Sequence, residues 1–122
     1  MPTLAIAVAA GFMGPTFYAA ANPLDITATV RAETADRSLA FAGSASVNTL
    51  THNGTVTGRT SAGAACTGEI SVSLGFARGT GTLVCGALSA RYSFTLSQRA
   101  PPVGRGRGVL SDGRQVRITI GP

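Results

Sequence analysis

The chain has no lysine, no tryptophan and a single histidine, and only five of its 122 residues are Asp or Glu. Nucleophilic catalysis needs a nucleophile, a base and an orienting group within hydrogen-bond reach. His52, the sole histidine, lies beside Asn53-Gly54, a pair typical of an exposed hairpin turn. The five carboxylates are dispersed, so no pair is indicated for general acid and base work. We therefore expect a non-catalytic protein with no metal site and no cofactor.

Long apolar runs are scarce, and the clearest one lies near the N-terminus. Leu4 to Met13 is almost wholly apolar, but about ten residues cannot span a bilayer, which disfavours a transmembrane segment. Ala19-Ala20-Ala21 supplies the small residues of a cleavage site, so we predict a secretory signal peptide over residues 1–21. The basic start of such a leader is missing, and the alternative is an N-terminal apolar strand or core helix. With a leader, the protein is periplasmic or secreted.

The chain contains only two cysteines, Cys66 and Cys85. An even count in a small exported domain predicts a disulfide. Closing a loop of about 20 residues would stabilise the fold by about 3 kcal/mol in the chain-entropy account. The alternatives are two buried reduced thiols or a metal pair, and the lack of a Cys-x-x-Cys motif disfavours the metal.

Residues from Leu24 onward alternate between apolar and polar with a period of two, and no stretch shows a helical repeat. Ile70 to Phe76 and Leu88 to Leu96 give the clearest strands. We predict one all-β domain over residues 22–122, a small antiparallel meander of seven or eight short strands that closes into a barrel or sandwich.

Turn residues divide this pattern into hairpins. Asn53-Gly54 and Arg78-Gly79 each predict a tight turn, and Cys85-Gly86 predicts another that sets Leu83 against Leu88. The small polar stretch Ser61 to Gly68 predicts a loop. Gln98 to Gly104 predicts a surface connection, since its paired prolines cannot donate to a sheet ladder.

The last hairpin has two candidate registers. A two-residue turn at Asp112-Gly113 would place Arg107 opposite Ile118 and bury a guanidinium on the apolar face, which costs too much free energy. A three-residue loop, with Gly113 in the left-handed conformation, pairs Gly106 with Ile118 instead and turns Arg107 outward. We therefore predict the three-residue loop and an outward strip of arginines.

Positive charge is concentrated toward the C-terminus. Residues 78–122 hold seven arginines against Asp112 alone, and a surface of one sign attracts polyanions. Anionic lipid and polysaccharide are the expected partners, a protein partner is also considered, and nucleic acid is disfavoured because no aromatic residue follows Gln98. A solvated basic face that only aids solubility is the plainer interpretation. The candidate ligand-binding residues are Arg99, Arg105, Arg107, Arg114 and Arg117.

These observations favour an exported, non-catalytic envelope or secreted β domain that binds an anionic partner through its arginine-rich C-terminal hairpin. One alternative is a small enzyme inhibitor or an enzyme whose site is built from loops, which the scarcity of titratable groups disfavours. Another is a cytoplasmic nucleic-acid-binding domain, which requires that the chain has no leader.

Overall fold

The computed structural model describes residues 24–121, so the leader predicted for residues 1–21 and the domain boundary at residue 22 lie outside the described residues. The chain forms a closed antiparallel barrel, in which each strand pairs with its sequence neighbour and β8 returns to pair with β1. The all-β prediction is confirmed, and the barrel replaces the sandwich alternative. The eight strands are β1 Asp25–Thr34, β2 Ala40–Asn48, β3 Asn53–Thr60, β4 Ala65–Val72, β5 Arg78–Cys85, β6 Leu88–Arg99, β7 Pro102–Leu110 and β8 Gln115–Ile120.

Alternate side chains of every strand point into the barrel and form its core. On β1 the predicted apolar face, from Ile26 to Ala32, packs against this core, as alternation requires. Within residues 24–121, no helix is long and apolar enough to cross a membrane. The buried hydrophobic residues are Phe41, Ala45, Val47, Val56, Cys66, Ile70, Phe76, Phe94, Ile118 and Ile120.

Glycines stand opposite the large aromatic residues of β6. Phe94 is paired with Gly79 on β5 and with Gly106 on β7. A Cβ on Gly106 would lie 2.6 Å from the Cβ of Phe94, closer than real side chains approach. Tyr92 is flanked in the same way by a glycine on each neighbouring strand. The glycines of β5 and β7 therefore leave room for the aromatic side chains of β6, the strand between them.

The predicted turn at Asn53-Gly54 is wrong, because both residues lie within β3. The chain turns earlier, over residues 49–52, where His52 adopts a positive φ of 64°. A Cβ on Gly54 would lie 2.7 Å from the Cα of Val47 on the neighbouring strand. Glycine is needed there because two backbones approach closely. From sequence alone, a glycine with this role looks the same as a glycine in a turn.

The predicted loop over 61–68 is also wrong, since β4 begins at Ala65. Gly68 points inward opposite Leu83, and its missing side chain makes room for that leucine.

The connection predicted over 98–104 is shorter than expected. It consists of residues 100 and 101, because β6 continues to Arg99 and β7 begins at Pro102. Pro102 pairs with Arg99 at the end of the ladder, where a missing N–H is tolerated.

The turn between β4 and β5 differs from the prediction as well. β4 ends at Val72, residues 73–77 form the turn, and Leu74 is 88% exposed. Phe76 re-enters the core from this turn with a positive φ of 57°. The predicted turn at Arg78-Gly79 is wrong, because both residues lie in β5, and Val72 pairs with Gly79, six residues from the partner that this turn would give it. The next turn is Gly86-Ala87 rather than Cys85-Gly86, so Leu83 lies opposite Ala90 instead of Leu88, a shift of two residues. The inward faces are still the predicted ones, because an even shift preserves them.

The disulfide and the last hairpin are confirmed. Cys66 and Cys85 are directly opposite each other on β4 and β5 and are bonded. Gly113 has a φ of 93°, and Gly106 pairs with Ile118, which is the register of the three-residue loop. Arg107 therefore points outward and is exposed.

Gly81 offers a direct test of the packing between glycines and aromatic residues. A Cβ at Gly81 would meet the Glu69 carbonyl oxygen and the Tyr92 ring, so we expect Gly81→Ala to lower the free energy of unfolding by about 1–3 kcal/mol. Gly75 has open space around its Cα and no positive φ, so Gly75→Ala should be neutral or slightly stabilising. Urea unfolding of both variants measures the difference, and equal effects would contradict the account.

Candidate functional site

The two ends of the barrel differ. Loops 35–39, 61–64, 86–87 and 111–114 surround one end, which we call the open end. Leu24 and loops 49–52, 73–77 and 100–101 surround the other, which we call the plugged end. The lumen keeps a cavity of about 80 Å³ toward the open end and a smaller one of about 40 Å³ beside Phe76 at the plugged end.

Phe76 closes the plugged end. Its side chain is only 7% exposed, the His52 ring lies 4.8 Å from its ring, and the Arg99 guanidinium lies 4.5 Å from its ring centroid. His52 Nδ1 also lies 3.2 Å from the Ser73 carbonyl oxygen. The expectation that His52 is exposed at a hairpin turn is therefore wrong, because this histidine is half-buried against Phe76.

A residual cavity of about 80 Å³ lies inside the open end. Leu39, Leu88 and Leu110 are among its apolar lining residues, and Tyr92 projects into it from β6. The Tyr92 hydroxyl donates a hydrogen bond to the Glu69 carbonyl oxygen at 2.8 Å. Burial raises the pKa of Tyr92 to about 12. Its phenol therefore stays neutral even at alkaline pH, and the cavity is apolar because hydrocarbon side chains form nearly all of its lining.

Three of the predicted arginines meet on the outer wall of the C-terminal hairpin. Arg107 on β7 is directly opposite Arg117 on β8, and Arg105 is opposite Thr119. All three arginines are exposed. Because Gly104, Gly106 and Gly108 occupy the inward positions of β7, alternation forces its two arginines outward.

Closure of the barrel brings two further arginines to this wall. Arg31 on β1 pairs with Thr119, and Arg59 on β3 is reached from Arg31 across Ala42 of β2. Sequence reasoning did not include them, since only the pairing of β8 with β1 makes them neighbours of the hairpin. The alternation of β1 does place Arg31 on its polar face, which was the available signal. We call Arg31, Arg59, Arg105, Arg107 and Arg117 the arginine face.

The other two predicted arginines lie elsewhere. Arg99 covers Phe76 at the plugged end. Arg114 forms an ion pair with Asp112 at 2.8 Å and donates a hydrogen bond to Ser38 Oγ. The hydrogen bond from Arg114 lowers the pKa of Asp112, so this carboxylate is charged and neutralises its partner. Neither arginine adds free positive charge to the arginine face.

The arginine face is electrostatically unbalanced. Like charges directly opposite on paired strands destabilise a sheet, and Arg107 and Arg117 are such a pair. Glu33 is the carboxylate on the same wall, opposite Arg117 on β1. Within residues 24–121, the ion pair shown by the structure is that of Arg114, so the five arginines are not neutralised by contact with a carboxylate. Arg59 donates a hydrogen bond to the Gly63 carbonyl oxygen at 3.2 Å.

Metal ligands are not assembled in the part of the chain that the structure describes. Residues 24–121 contain no group of three or more His, Cys, Asp or Glu side chains that could hold a metal ion. Asp36, near the open end, accepts hydrogen bonds from Ser38 and Thr34, and the bonds from Ser38 contribute most to holding its pKa well below the usual range. Asp36 therefore stabilises its own turn.

Comparison with known proteins identifies the fold and no family. No protein-family model matches the chain, and no curated protein matches it. A redesigned β-barrel, mFAP1, bound to DFHBI, has a TM-score of 0.62 and 18% identity, covering 81% of this chain and 94% of that one. A de novo designed fluorescence-activating β-barrel has a TM-score of 0.55 and 22% identity, covering 79% of this chain and 90% of the design.

The charge imbalance can be measured through stability. We expect Arg107→Glu to raise the free energy of unfolding by about 0.2–1 kcal/mol, because it replaces a like-charged cross-strand pair with an attractive one. The gain should shrink as salt is added, since exposed charges are screened. Urea unfolding at low and high salt tests this, and a loss of stability at low salt would show that Arg107 is already neutralised.

Proposed function

We propose that this protein is an exported, non-catalytic barrel that binds a polyanion through its arginine face. The observation that carries the proposal is the directly opposed pair Arg107 and Arg117, extended by Arg105, Arg31 and Arg59. The Arg107–Arg117 contact is a like-charged cross-strand pair, and an anion bound between its two guanidinium groups would offset the repulsion. The ligand is a surface bearing phosphate or carboxylate groups, supplied by anionic lipid or acidic polysaccharide.

The spacing of the arginines favours a ligand with several anionic groups. Neighbouring strands are about 4.8 Å apart, so Arg107 and Arg117 can share one phosphate or carboxylate. Arg105 and Arg31 are two strands apart, about 10 Å, and Arg59 is two strands beyond Arg31. Guanidinium groups bind such oxygens through paired hydrogen bonds. A repeating polyanion can therefore contact the whole face, whereas a single small anion contacts only part of it.

The lumen is a weaker candidate for a binding site than the outer wall. The designed barrel mFAP1 is bound to DFHBI, and this chain shares its fold. The free space in the present lumen is about 80 Å³, well below the roughly 300–1,000 Å³ of typical ligand pockets. For this reason the proposal rests on the outer wall.

Export is part of the proposal, and the Cys66–Cys85 disulfide supports it, because such bonds persist in oxidising compartments. We expect the mature protein to begin at Asn22, after removal of residues 1–21. Intact mass and N-terminal sequencing of protein recovered from an envelope or secreted fraction measure this. Recovery of the whole chain from the cytoplasm would contradict export and favour the nucleic-acid-binding alternative.

Loss of charge on the arginine face should weaken polyanion binding. We expect Arg105→Ser with Arg107→Ser to reduce retention on vesicles rich in phosphatidylglycerol or on an immobilised polyuronate, and added salt to reduce retention of the parent protein. The charge-matched control is Arg37→Ser with Arg114→Ser, at the open end, which should bind like the parent.

The two matrices identify the source of the anionic groups. Retention on vesicles alone indicates phospholipid, and retention on the polyuronate alone indicates acidic polysaccharide. Equal losses in the two double variants would mean that only net charge matters and would reject the arginine face as the site. Salt-independent retention of the parent on both matrices would have the same consequence.

A further inference from the structure

Exposed leucines are concentrated at the plugged end. Leu74 is 88% exposed, Leu50 is 71% exposed and Leu24 is 42% exposed. Each lies on a loop or chain entry at that end. The other large exposed hydrophobic residues in the described range, Val84 and Val109, lie on the outer wall toward the open end. Single exposed leucines are common, so it is the concentration of three of them at one end of a small barrel that calls for an explanation.

Hydrogen bonds tie the leucine-bearing segments to one another. The Thr49 backbone N–H and hydroxyl both donate to the Leu24 carbonyl oxygen, at 2.8 and 2.6 Å. The Val72 N–H donates to the His52 carbonyl oxygen at 2.9 Å, which joins loop 49–52 to the start of loop 73–77. The tip of loop 49–52 is itself fixed, because Asn48 Oδ1 accepts hydrogen bonds from the N–H groups of Leu50 and Thr51. The exposed leucines are thus presented by an ordered surface.

The charges around these leucines are those that an anionic membrane surface attracts. Arg78 begins β5 directly after loop 73–77, and Arg99 lies over the plug. Loops 49–52, 73–77 and 100–101 contain no Asp or Glu. The carboxylate at this end is Asp25, which lies near Ser46 and Asn48 side-chain donors at 3.4 and 3.3 Å. Leucines at the loop tips with arginines beside them suit an anionic bilayer, in which leucines contact acyl chains and arginines contact phosphates.

We infer that the plugged end docks on an anionic bilayer, with Leu50 and Leu74 inserted at the boundary between headgroups and acyl chains and with Arg78 and Arg99 at the level of the phosphates. Apolar burial drives this contact, so it differs from the charge-driven binding proposed for the arginine face and does not depend on it. The docked end would leave the open end facing the aqueous phase.

Because the chain has no tryptophan, a single introduced tryptophan reports on its own environment. In the full chain, Leu74→Trp should show blue-shifted emission with phosphatidylglycerol vesicles and should be quenched by lipids brominated on the acyl chain. Val84→Trp, on the outer wall, is the matched control and should stay unshifted and unquenched. Even if residues 1–23 bind vesicles by themselves, only docking of the plugged end brings residue 74 into the bilayer.

Paired substitutions measure the apolar contribution. Leu50→Ser with Leu74→Ser should lower vesicle binding about tenfold or more, whereas Val84→Ser with Val109→Ser should leave it unchanged. The difference should persist at about 0.5 M salt, where exposed charges are screened beyond a few ångströms. Far-UV circular dichroism confirms that both variants retain the barrel, since all four side chains are exposed in the parent.

The outcomes separate this inference from the proposed function. If vesicles leave the emission of the Leu74→Trp variant unchanged, membrane docking is overturned, even if the Arg105 and Arg107 variant still loses polyanion binding. Shifted and quenched emission of the Leu74→Trp variant at high salt supports docking, even if that arginine variant binds like its parent. A shift that appears without vesicles and grows with protein concentration would show that a second copy covers the leucines, and would overturn the inference.

Discussion

The close fit between aromatic residues and glycines on neighbouring strands is the constraint on which the rest of the barrel depends. Phe94 lies between Gly79 and Gly106, so β5, β6 and β7 can approach only where the neighbour of each ring lacks a side chain. Phe41 is seated similarly: a Cβ on Gly58 would lie 2.6 Å from its Cζ. Interiors are close-packed, so such positions tolerate little added volume. The glycines therefore restrict the register in which these strands can pair.

That constraint extends to the outer surface. With glycines at alternate positions of β7, the residues between them must point outward, and two of these are Arg105 and Arg107. The opposite strand then places Arg117 beside Arg107. The disulfide between β4 and β5 stabilises the domain by about 3 kcal/mol, which exceeds the roughly 0.2–1 kcal/mol that a like-charged cross-strand pair costs. The packing of the core thus decides which side chains of β7 form the charged wall.

Alternation was sufficient to predict β1 and the inward face of most strands, whereas the even cysteine count predicted the disulfide. The last hairpin was predictable because one register buried arginines and the other did not. The turn at Asn53-Gly54 and the loop at 61–68 were mispredicted for a common reason: Gly54 and Gly68 are interior residues that admit neighbouring strands, although small residues also favour turns. Local pattern alone does not separate these two uses of glycine.

The candidate site was only half predictable for a different reason. Arg31 and Arg59 belong to the arginine face because β8 pairs with β1. No local signal in the sequence specifies that the first and last strands of a meander pair with each other. Conversely, Arg99 and Arg114 were included because they are near the hairpin in sequence, yet each has a partner of its own, Phe76 and Asp112 respectively. The density of arginines along the sequence therefore pointed to the C-terminal hairpin, and closure of the barrel determined which arginines share a face with it.

Together these features describe a barrel with a charged wall and one apolar-tipped end. The most direct test of the charged wall is an NMR titration of isotope-labelled protein with short-chain anionic lipid or oligouronate, observing the arginine side-chain Nε–H signals. The account predicts that Arg105, Arg107 and Arg117 shift together and saturate together, while Arg37 and Arg114 at the open end do not move. Shifts confined to the open end, or spread evenly over all arginines, would contradict it.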